Sequence, residues 1–347
     1  MSKKIRVGLI GTGGIGRRQC QTLAGIEDVE IVAGADPSEE ALELFREQYE
    51  PRHTFSDYKE LIGLDEIDAV TVCTPNFFHA EPTIAALEAG KDVMVEKPMA
   101  MNAEEARAMV DAAKKAGRKL VIGFQWRLGP EAQVLKRYVD SGEIGAPLFA
   151  RVQALRRRGI PNWGVFGRKD LQGGGPLIDI GVHLMEFAHY LMGRPKAVGA
   201  NACTFTYLGD KPSDVESQWP GWDYETYTVE DLAVGFIRFE NGACMSVESS
   251  FAAHIEGTTM NVQVMGDKGG CTFSPTKVFK DEAGTMVNVE PAFVTGYNGF
   301  DRKMEDWIAY LRGEADTQCP GEDGLALQQM LDGLYRSAEQ GGEVPIE

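Results

Sequence analysis

Ile5-Arg6-Val7-Gly8-Leu9-Ile10-Gly11-Thr12-Gly13-Gly14-Ile15-Gly16 runs an apolar, strand-like segment straight into G-x-G-x-x-G, and a helical pattern begins behind it. The order carries more information than the glycines alone. A strand, a tight glycine turn and a helix N-terminus together let a pyrophosphate approach the main chain and rest on unpaired N–H groups. Asp36 stands 20 residues beyond Gly16, at the end of the next apolar run. A carboxylate there accepts hydrogen bonds from the adenosine ribose and repels a 2′-phosphate, so the expected cofactor is NAD rather than NADP. Gly11, Thr12, Gly13, Gly14, Ile15, Gly16 and Asp36 are the first candidate cofactor contacts.

Outward from this stretch, the runs 5–11, 29–36, 69–75, 92–98 and 119–125 read as strands separated by helical patterns. Gly90 and Gly117 follow two of those helical stretches, where a C-terminal glycine stop belongs. Strands joined by crossover helices build a parallel sheet covered on both faces. Residues 1–125 are therefore expected to form an α/β, doubly wound Rossmann domain. In such a sheet ligands bind at the carboxyl ends of the strands. Thr74-Pro75-Asn76 and Glu96-Lys97-Pro98 both fall at those ends. A lone loop lysine is ordinarily just solvated, but this position makes Lys97 a candidate for chemistry.

From about residue 126 the texture changes to alternating runs at 233–239, 243–249 and 260–265, broken by Glu240-Asn241-Gly242 and Gly266-Asp267-Lys268-Gly269-Gly270. Asn-Gly and Gly-Gly between such runs signal hairpins. The expectation for 126–347 is an α+β domain built on a mostly antiparallel sheet. Leu327, Met330, Leu331 and Leu334 mark a helix over about 325–338 that packs back onto the body.

Within this half, Gly173-Gly174-Gly175 precedes Pro176, and Leu177, Ile180, Leu184, Phe187 and Leu191 then step by 3 and 4 as the core stripe of a helix. Asp179, His183 and Glu186 form a row one residue to the side, which predicts that Asp179 and His183 touch. A carboxylate beside an imidazole suits an acid/base histidine, and a structural hydrogen-bonded histidine is the plainer alternative. Trp126, Trp163, Trp219 and Trp222 offer flat faces for a sugar ring, or pack in the core or an interface. Arg156-Arg157-Arg158, with Arg168 and Lys169 nearby, suits either an anionic substrate group or a solvated strand face. The stretch 207–227 is too long for a plain turn and reads as a lid or an oligomer arm.

The chain has 347 residues, enough for about two domains. Its net charge of −17 repels phosphate backbones and anionic headgroups, so neither nucleic acid nor a membrane is an expected partner. The N-terminus shows no signal-peptide pattern, and no apolar run reaches the roughly 18 residues of a membrane span. Cys20, Cys73, Cys203, Cys244, Cys271 and Cys319 are scattered without metal-site or disulfide-framework spacing. No metal is expected, and the cytoplasm is the expected compartment.

Gly11 to Gly16, Thr74-Pro75-Asn76 with His79, Glu96-Lys97-Pro98 and the GGG-x-L-x-D-x-G-x-H run at 173–183 together resemble the Gfo/Idh/MocA family of oxidoreductases. The likeness spans nearly the whole chain. It implies an N-terminal Rossmann domain and a C-terminal α/β domain whose large open sheet serves substrate binding and oligomer contacts, with Lys97, Asp179 and His183 as the catalytic set and a cis peptide between Lys97 and Pro98. Glu186 stands where many members carry Asp. Thr74, Pro75, Asn76, His79, Glu96, Lys97 and Gln125 join the glycine loop as cofactor contacts. Trp126, Arg127, Arg158 and Trp163 join Lys97, Asp179 and His183 as substrate contacts. The activity implied is NAD-dependent dehydrogenation of a secondary alcohol in a sugar, glycoside or inositol-like cyclitol by a homodimer or homotetramer. An NAD-retaining glycosidase or lyase, and a non-catalytic NAD sensor, remain as alternatives.

Overall fold

The computed structural model describes residues 4–347. It divides into two compact units, Met1–Gln125 with Asn298–Leu325, and Trp126–Tyr297 with Ala326–Glu347. The sequence reading places a single boundary, after Gln125. The segment Asn298–Leu325 differs, because it belongs with the first unit and not with the second.

The first unit alternates β1 (Ile5–Ile10), α1 (Gly14–Leu23), β2 (Val29–Ala35), α2 (Glu39–Tyr49), β3 (His53–Phe55), α3 (Tyr58–Ile62), β4 (Ala69–Val72), α4 (Ala80–Glu88), β5 (Asp92–Val95), α5 (Ala103–Ala116) and β6 (Leu120–Ile122). The six strands are parallel in the order β3-β2-β1-β4-β5-β6. Both faces are covered, so the strands are continuous apolar runs, with Val7, Leu9, Val70, Val72, Val93 and Val95 all buried. β3, only three residues long, lacks any legible period. Helix ends follow local chemistry: Asn102 caps α5 by accepting from Glu105 N at 2.9 Å, and Gly117 ends it at φ +61°. The strand order reverses between β1 and β4, which puts the glycine loop and Thr74-Pro75-Asn76 side by side at the switch point.

The second unit contains α6 (Pro130–Asp140), β7 (Pro147–Leu155), α7 (Lys169–Gln172), α8 (Val182–Leu191), β8 (Ala197–Phe205), β9 (Leu232–Phe239), β10 (Cys244–Ser250), β11 (Thr259–Gly266), β12 (Gly269–Thr272), β13 (Lys277–Glu282) and β14 (Thr285–Val289). The chain then forms α9 (Gly299–Arg312), α10 (Gly321–Gln340) and the short β15 (Val344–Pro345). The nine-stranded sheet runs β14-β13-β12-β11-β7-β10-β9-β8-β15. Its pairs are antiparallel except β10 with β7, which makes the sheet mixed. Alternation places Ala150, Val152, Met245, Val247, Val262 and Val264 in the core beneath α8. The opposite face carries Arg151, Gln153, Glu248 and the exposed Val234. The expected C-terminal helix is present and longer than read, and Leu327, Met330, Leu331 and Leu334 are buried.

A buried ion pair explains the return of Asn298–Leu325. Lys303 on α9 is buried and bonds the Glu96 carboxylate at the end of β5, which also accepts from Gln19 Nε2 on α1 at 2.6 Å. Nearby, Val121 of β6 bridges to Pro320. Burial pushes the Glu96 carboxyl up, but the charge and hydrogen bond of Lys303, the hydrogen bond from Gln19 and the charge of Lys97 together outweigh it and hold the group below the ordinary carboxylate range. A depressed carboxyl contributes stability above its unfolded pKa and loses it as pH falls through the folded value. Lys303→Met strands the Glu96 charge and should cost about 3–5 kcal/mol at neutral pH. Denaturant titration checks this, and the deficit should narrow as acid protonates Glu96.

Candidate active site

In the first unit the glycine loop is built to hold a dinucleotide. Gly11 sits at φ +91°, and a Cβ there would stand 2.7 Å from the Cys73 carbonyl oxygen. Gly13 and Gly14 have nothing within 4 Å of a notional Cβ, so the space a side chain would take is open to a ligand. Asp36 accepts Thr12 N–H at 2.8 Å and Ser38 N–H at 2.9 Å, holding the loop against the end of β2. A cavity of about 720 Å³ opens here, lined by Gly11, Gly13, Asp36, Tyr58, Thr74 and Phe78 among others. Gln125 Oε1 and Thr12 Oγ1 are buried without a hydrogen-bond partner, as acceptors or donors reserved for a bound molecule would be. These features fit NAD.

The other expected cofactor contacts divide. Thr74 and Pro75 line that cavity, and Asn76 begins the short turn before α4. Lys97 and Pro98 are joined by the cis peptide that the resemblance implied. Glu96 is occupied by Lys303 and Gln19, which makes it a support of the strand end. His79 is corrected most sharply, being 1% exposed with Nδ1 2.7 Å from the Pro98 carbonyl oxygen and Nε2 2.8 Å from that of Thr74. Both ring nitrogens face main chain.

In the second unit the predicted uniform α-helix over 176–191 is not uniform. Residues Leu177–Gly181 form a π-helical turn, with Val182 N–H bonding Leu177 O, before α8 begins. Such turns insert one residue into the helical ladder and recur at functional sites. The apolar stripe survives, and Leu177, Ile180, Leu184, Phe187 and Leu191 are all buried. From 174 to 190 every residue is buried except Asp179 and His183. The Trp126 ring lies 6.0 Å from the His183 ring, centroid to centroid.

The start of this helix rests on groups that no spacing announced. Glu230 accepts Gly175 N–H at 2.9 Å and Leu177 N–H at 3.2 Å, and Tyr335 O–H donates to the same carboxylate at 2.9 Å. Ser249 Oγ donates to the Pro176 carbonyl at 2.8 Å. The glycine run is a matter of close approach, since a Cβ on Gly175 would stand 2.0 Å from the Glu230 carbonyl oxygen. Burial pushes the Glu230 carboxyl above its ordinary value against the pull of those donors.

Glu186 leaves the predicted row. It pairs with Arg127, Nε to Oε2 at 2.6 Å, with both side chains inside the unit, and Arg127 stacks on Tyr190 at 4.8 Å. Arg127, expected at the substrate, is 1% exposed and supports α8 instead. The arginine run splits by side. Arg157 is exposed and bonds the Glu256 carbonyl, while Arg156 lies over Trp219 at 5.0 Å, where burial lowers its pKa against the opposing charge of Asp179. Arg158 Nη1 is buried without a partner. Trp163 is half exposed and meets Trp219 edge-on at 4.7 Å, whereas Trp222 is buried with its indole N–H on the Gly209 carbonyl. The 207–227 stretch is pinned at its base by Asp231, which accepts three consecutive amides from Tyr207 to Gly209. Among the described residues, no cluster of three or more His, Cys, Asp or Glu is placed to hold a metal, and no helix is long and apolar enough to cross a membrane.

Residues 5–124 match the NAD-binding Rossmann domain of the Gfo/Idh/MocA oxidoreductases, and residues 136–346 match the C-terminal α/β domain of the same family. The chain belongs to that family and is an NAD-dependent oxidoreductase. It is 38% identical to a D-glucoside 3-dehydrogenase of Escherichia coli (strain K12), over 99% of this chain and 98% of that protein. It is 31% identical to a myo-inositol 2-dehydrogenase of Thermotoga maritima over 99% of each. A levoglucosan dehydrogenase solved with NADH and levoglucosan superposes with a TM-score of 0.84 at 27% identity, covering 99% of each chain.

Because Glu230 satisfies two buried amides, Glu230→Ala should destabilise the protein by about 3 kcal/mol, measured by urea titration. The nucleotide residues lie in the other unit, so NADH affinity measured by fluorescence should stay within about threefold of wild type while turnover falls.

Proposed function

We propose that the protein oxidises a secondary alcohol of a sugar, glycoside or cyclitol, with Lys97, Asp179 and His183 acting on one substrate. The observation that carries this reading is the pair Asp179 and His183, the two accessible positions on an otherwise buried helix, with the Trp126 ring beside the imidazole. Relatives that act on a glucoside and on inositol give the substrate class its support.

NAD, when bound, supplies the acceptor for the hydride lost from the carbinol carbon. Gly11, Gly13, Asp36, Thr74 and Gln125 hold it. His183 takes the hydroxyl proton at Nε2, since Nδ1 is buried. The Lys97 ammonium hydrogen-bonds the same oxygen and stabilises the developing alkoxide, in a site where fixed charge costs no reorganisation. Asp179 orients the imidazole or accepts from a neighbouring hydroxyl. Trp126 and Trp163 give apolar faces to the ring, and Arg158 a hydrogen-bond donor. The absence of disulfides among the six cysteines suits a reducing cytoplasm. Beside Arg151 and Glu248 the open sheet face exposes Phe205, Val234 and Met265, and apolar side chains there suit a homodimer or homotetramer.

The test offers purified protein and NAD⁺ to a panel of inositols, aldoses, glycosides and uronic acids while NADH absorbance is followed. Stoichiometric NADH with one class is the expected result. Cleavage of a glycoside without net NADH would replace this reading with a redox-assisted glycosidase, and silence with every substrate would favour a sensor. His183→Ala and Lys97→Met should each lower turnover at least about 10²-fold, and near-wild-type rates in either variant remove that residue from the set. Asp36→Ala should weaken NAD while leaving NADP binding nearly unchanged, and tighter binding of NADP than NAD by wild type would overturn the assignment of Asp36.

A further inference from the structure

A buried histidine between two main-chain acceptors is chemically over-committed. His79 Nδ1 lies 2.7 Å from the Pro98 carbonyl oxygen and Nε2 2.8 Å from the Thr74 carbonyl oxygen. Both distances are those of hydrogen bonds, and both partners only accept. A neutral imidazole has one N–H, so it satisfies one carbonyl and turns a lone pair toward the other. Only the imidazolium donates to both. The two carbonyls belong to the segments that follow adjacent parallel strands, β4 and β5, and the Pro98 carbonyl lies one residue beyond Lys97.

We infer that His79 is a positioning residue, whose ring fastens the Lys97–Pro98 main chain to the Thr74 main chain when it holds two protons and releases one of the two when it holds one. The inference rests on the proposed role of Lys97, since what the ring fastens is the peptide on which that ammonium is carried. Thr74 lines the nucleotide cavity, so the same ring joins the cofactor segment to the segment of the reacting group. Two charged groups act on the ring: Glu96 favours its second proton and the Lys97 ammonium opposes it. Glu81, two residues along on α4, is turned to Tyr58 O–H at 2.7 Å. Burial dominates and draws the imidazole below its ordinary value, so the second proton is held weakly and the fastening strengthens toward acid.

Both polar atoms of the His79 ring are committed to main chain, so its effect runs through Lys97. Replacement by glutamine removes the titration while keeping a side chain that donates and accepts. Loss of the fastening should lower kcat about tenfold on the acid side of the His79 titration and little above it, with KM for NAD within about threefold of wild type throughout.

The experiment uses full-length protein with NAD bound, ¹⁵N-labelled at histidine and ¹³C-dimethylated at lysine. His79 and Lys97 signals are assigned by their disappearance in His79→Gln and Lys97→Arg. The expected result is two protonated His79 nitrogens at acid pH, one at higher pH, and a Lys97 methyl signal that moves with the same midpoint. In His79→Gln the Lys97 movement should vanish. A single His79 tautomer throughout, or a Lys97 signal indifferent to His79, overturns the proposal, as does a His79→Gln variant that loses thermal stability alone with kcat unchanged. If that variant fails to fold, the wild-type titration still decides, with His79 assigned by its burial-protected exchange. These signals need no substrate, so a protein that oxidises nothing but couples the two residues would sink the dehydrogenase reading and leave the fastening intact.

Discussion

A carboxylate removed from water must be met by enough donors to replace it, and Glu96 shows how much of the first unit follows from that demand. Its oxygens are shared between Lys303 on α9, Gln19 on α1 and, at 3.3 Å, the N–H of Lys97. Two segments far apart in sequence, α1 and α9, are thereby fixed to one point at the end of β5. Gly123 at the end of β6 has no room for a Cβ, because the same carboxylate lies 2.9 Å away. The charge that orders this end of the sheet therefore also locates Lys97, without taking any part in chemistry itself.

The second unit repeats the logic with a different partner set. Glu230 faces the start of the helix that bears Asp179 and His183 and meets two main-chain amides and the Tyr335 hydroxyl. A helix N-terminus carries partial positive charge and unpaired N–H groups, so an anion is welcome there even when buried. Ser249 closes the other side by taking the Pro176 carbonyl. The π turn at Leu177–Gly181 lies between these anchors and α8, and it keeps the apolar stripe inward while leaving Asp179 and His183 as the accessible pair. Further along, Arg127 and Glu186 neutralise each other inside the unit, which rigidifies α8 and explains why a glutamate stands at a position of the row that looked functional.

The local signals that read correctly are those whose physics is local. A glycine turn between strand and helix, a C′ glycine after α5 and an Asn-Gly between alternating runs each impose a backbone conformation on a few neighbours, and each stands where it was expected. What misled was equally local in form: Glu186, Arg127 and His79 have the residue types and spacings of site residues. Their partners, respectively Arg127, Glu186 and two main-chain carbonyls, decide otherwise. A polar side chain near a site is functional or supportive according to what else is buried with it.

The sequence by itself determined the two kinds of sheet, the NAD-binding glycine fingerprint and the family, because strand period, glycine conformation and helical spacing are properties of neighbours along the chain. Only the tertiary structure decided that Asn298–Leu325 returns to the first unit, that Glu230 and Tyr335 seat the helix bearing Asp179 and His183, that a π turn interrupts it and that His79 lies between two strand-end carbonyls. Those outcomes depend on charges and hydrogen-bonding groups separated by tens to hundreds of residues, and whether a buried group is satisfied is settled only when the chain has brought its partner beside it.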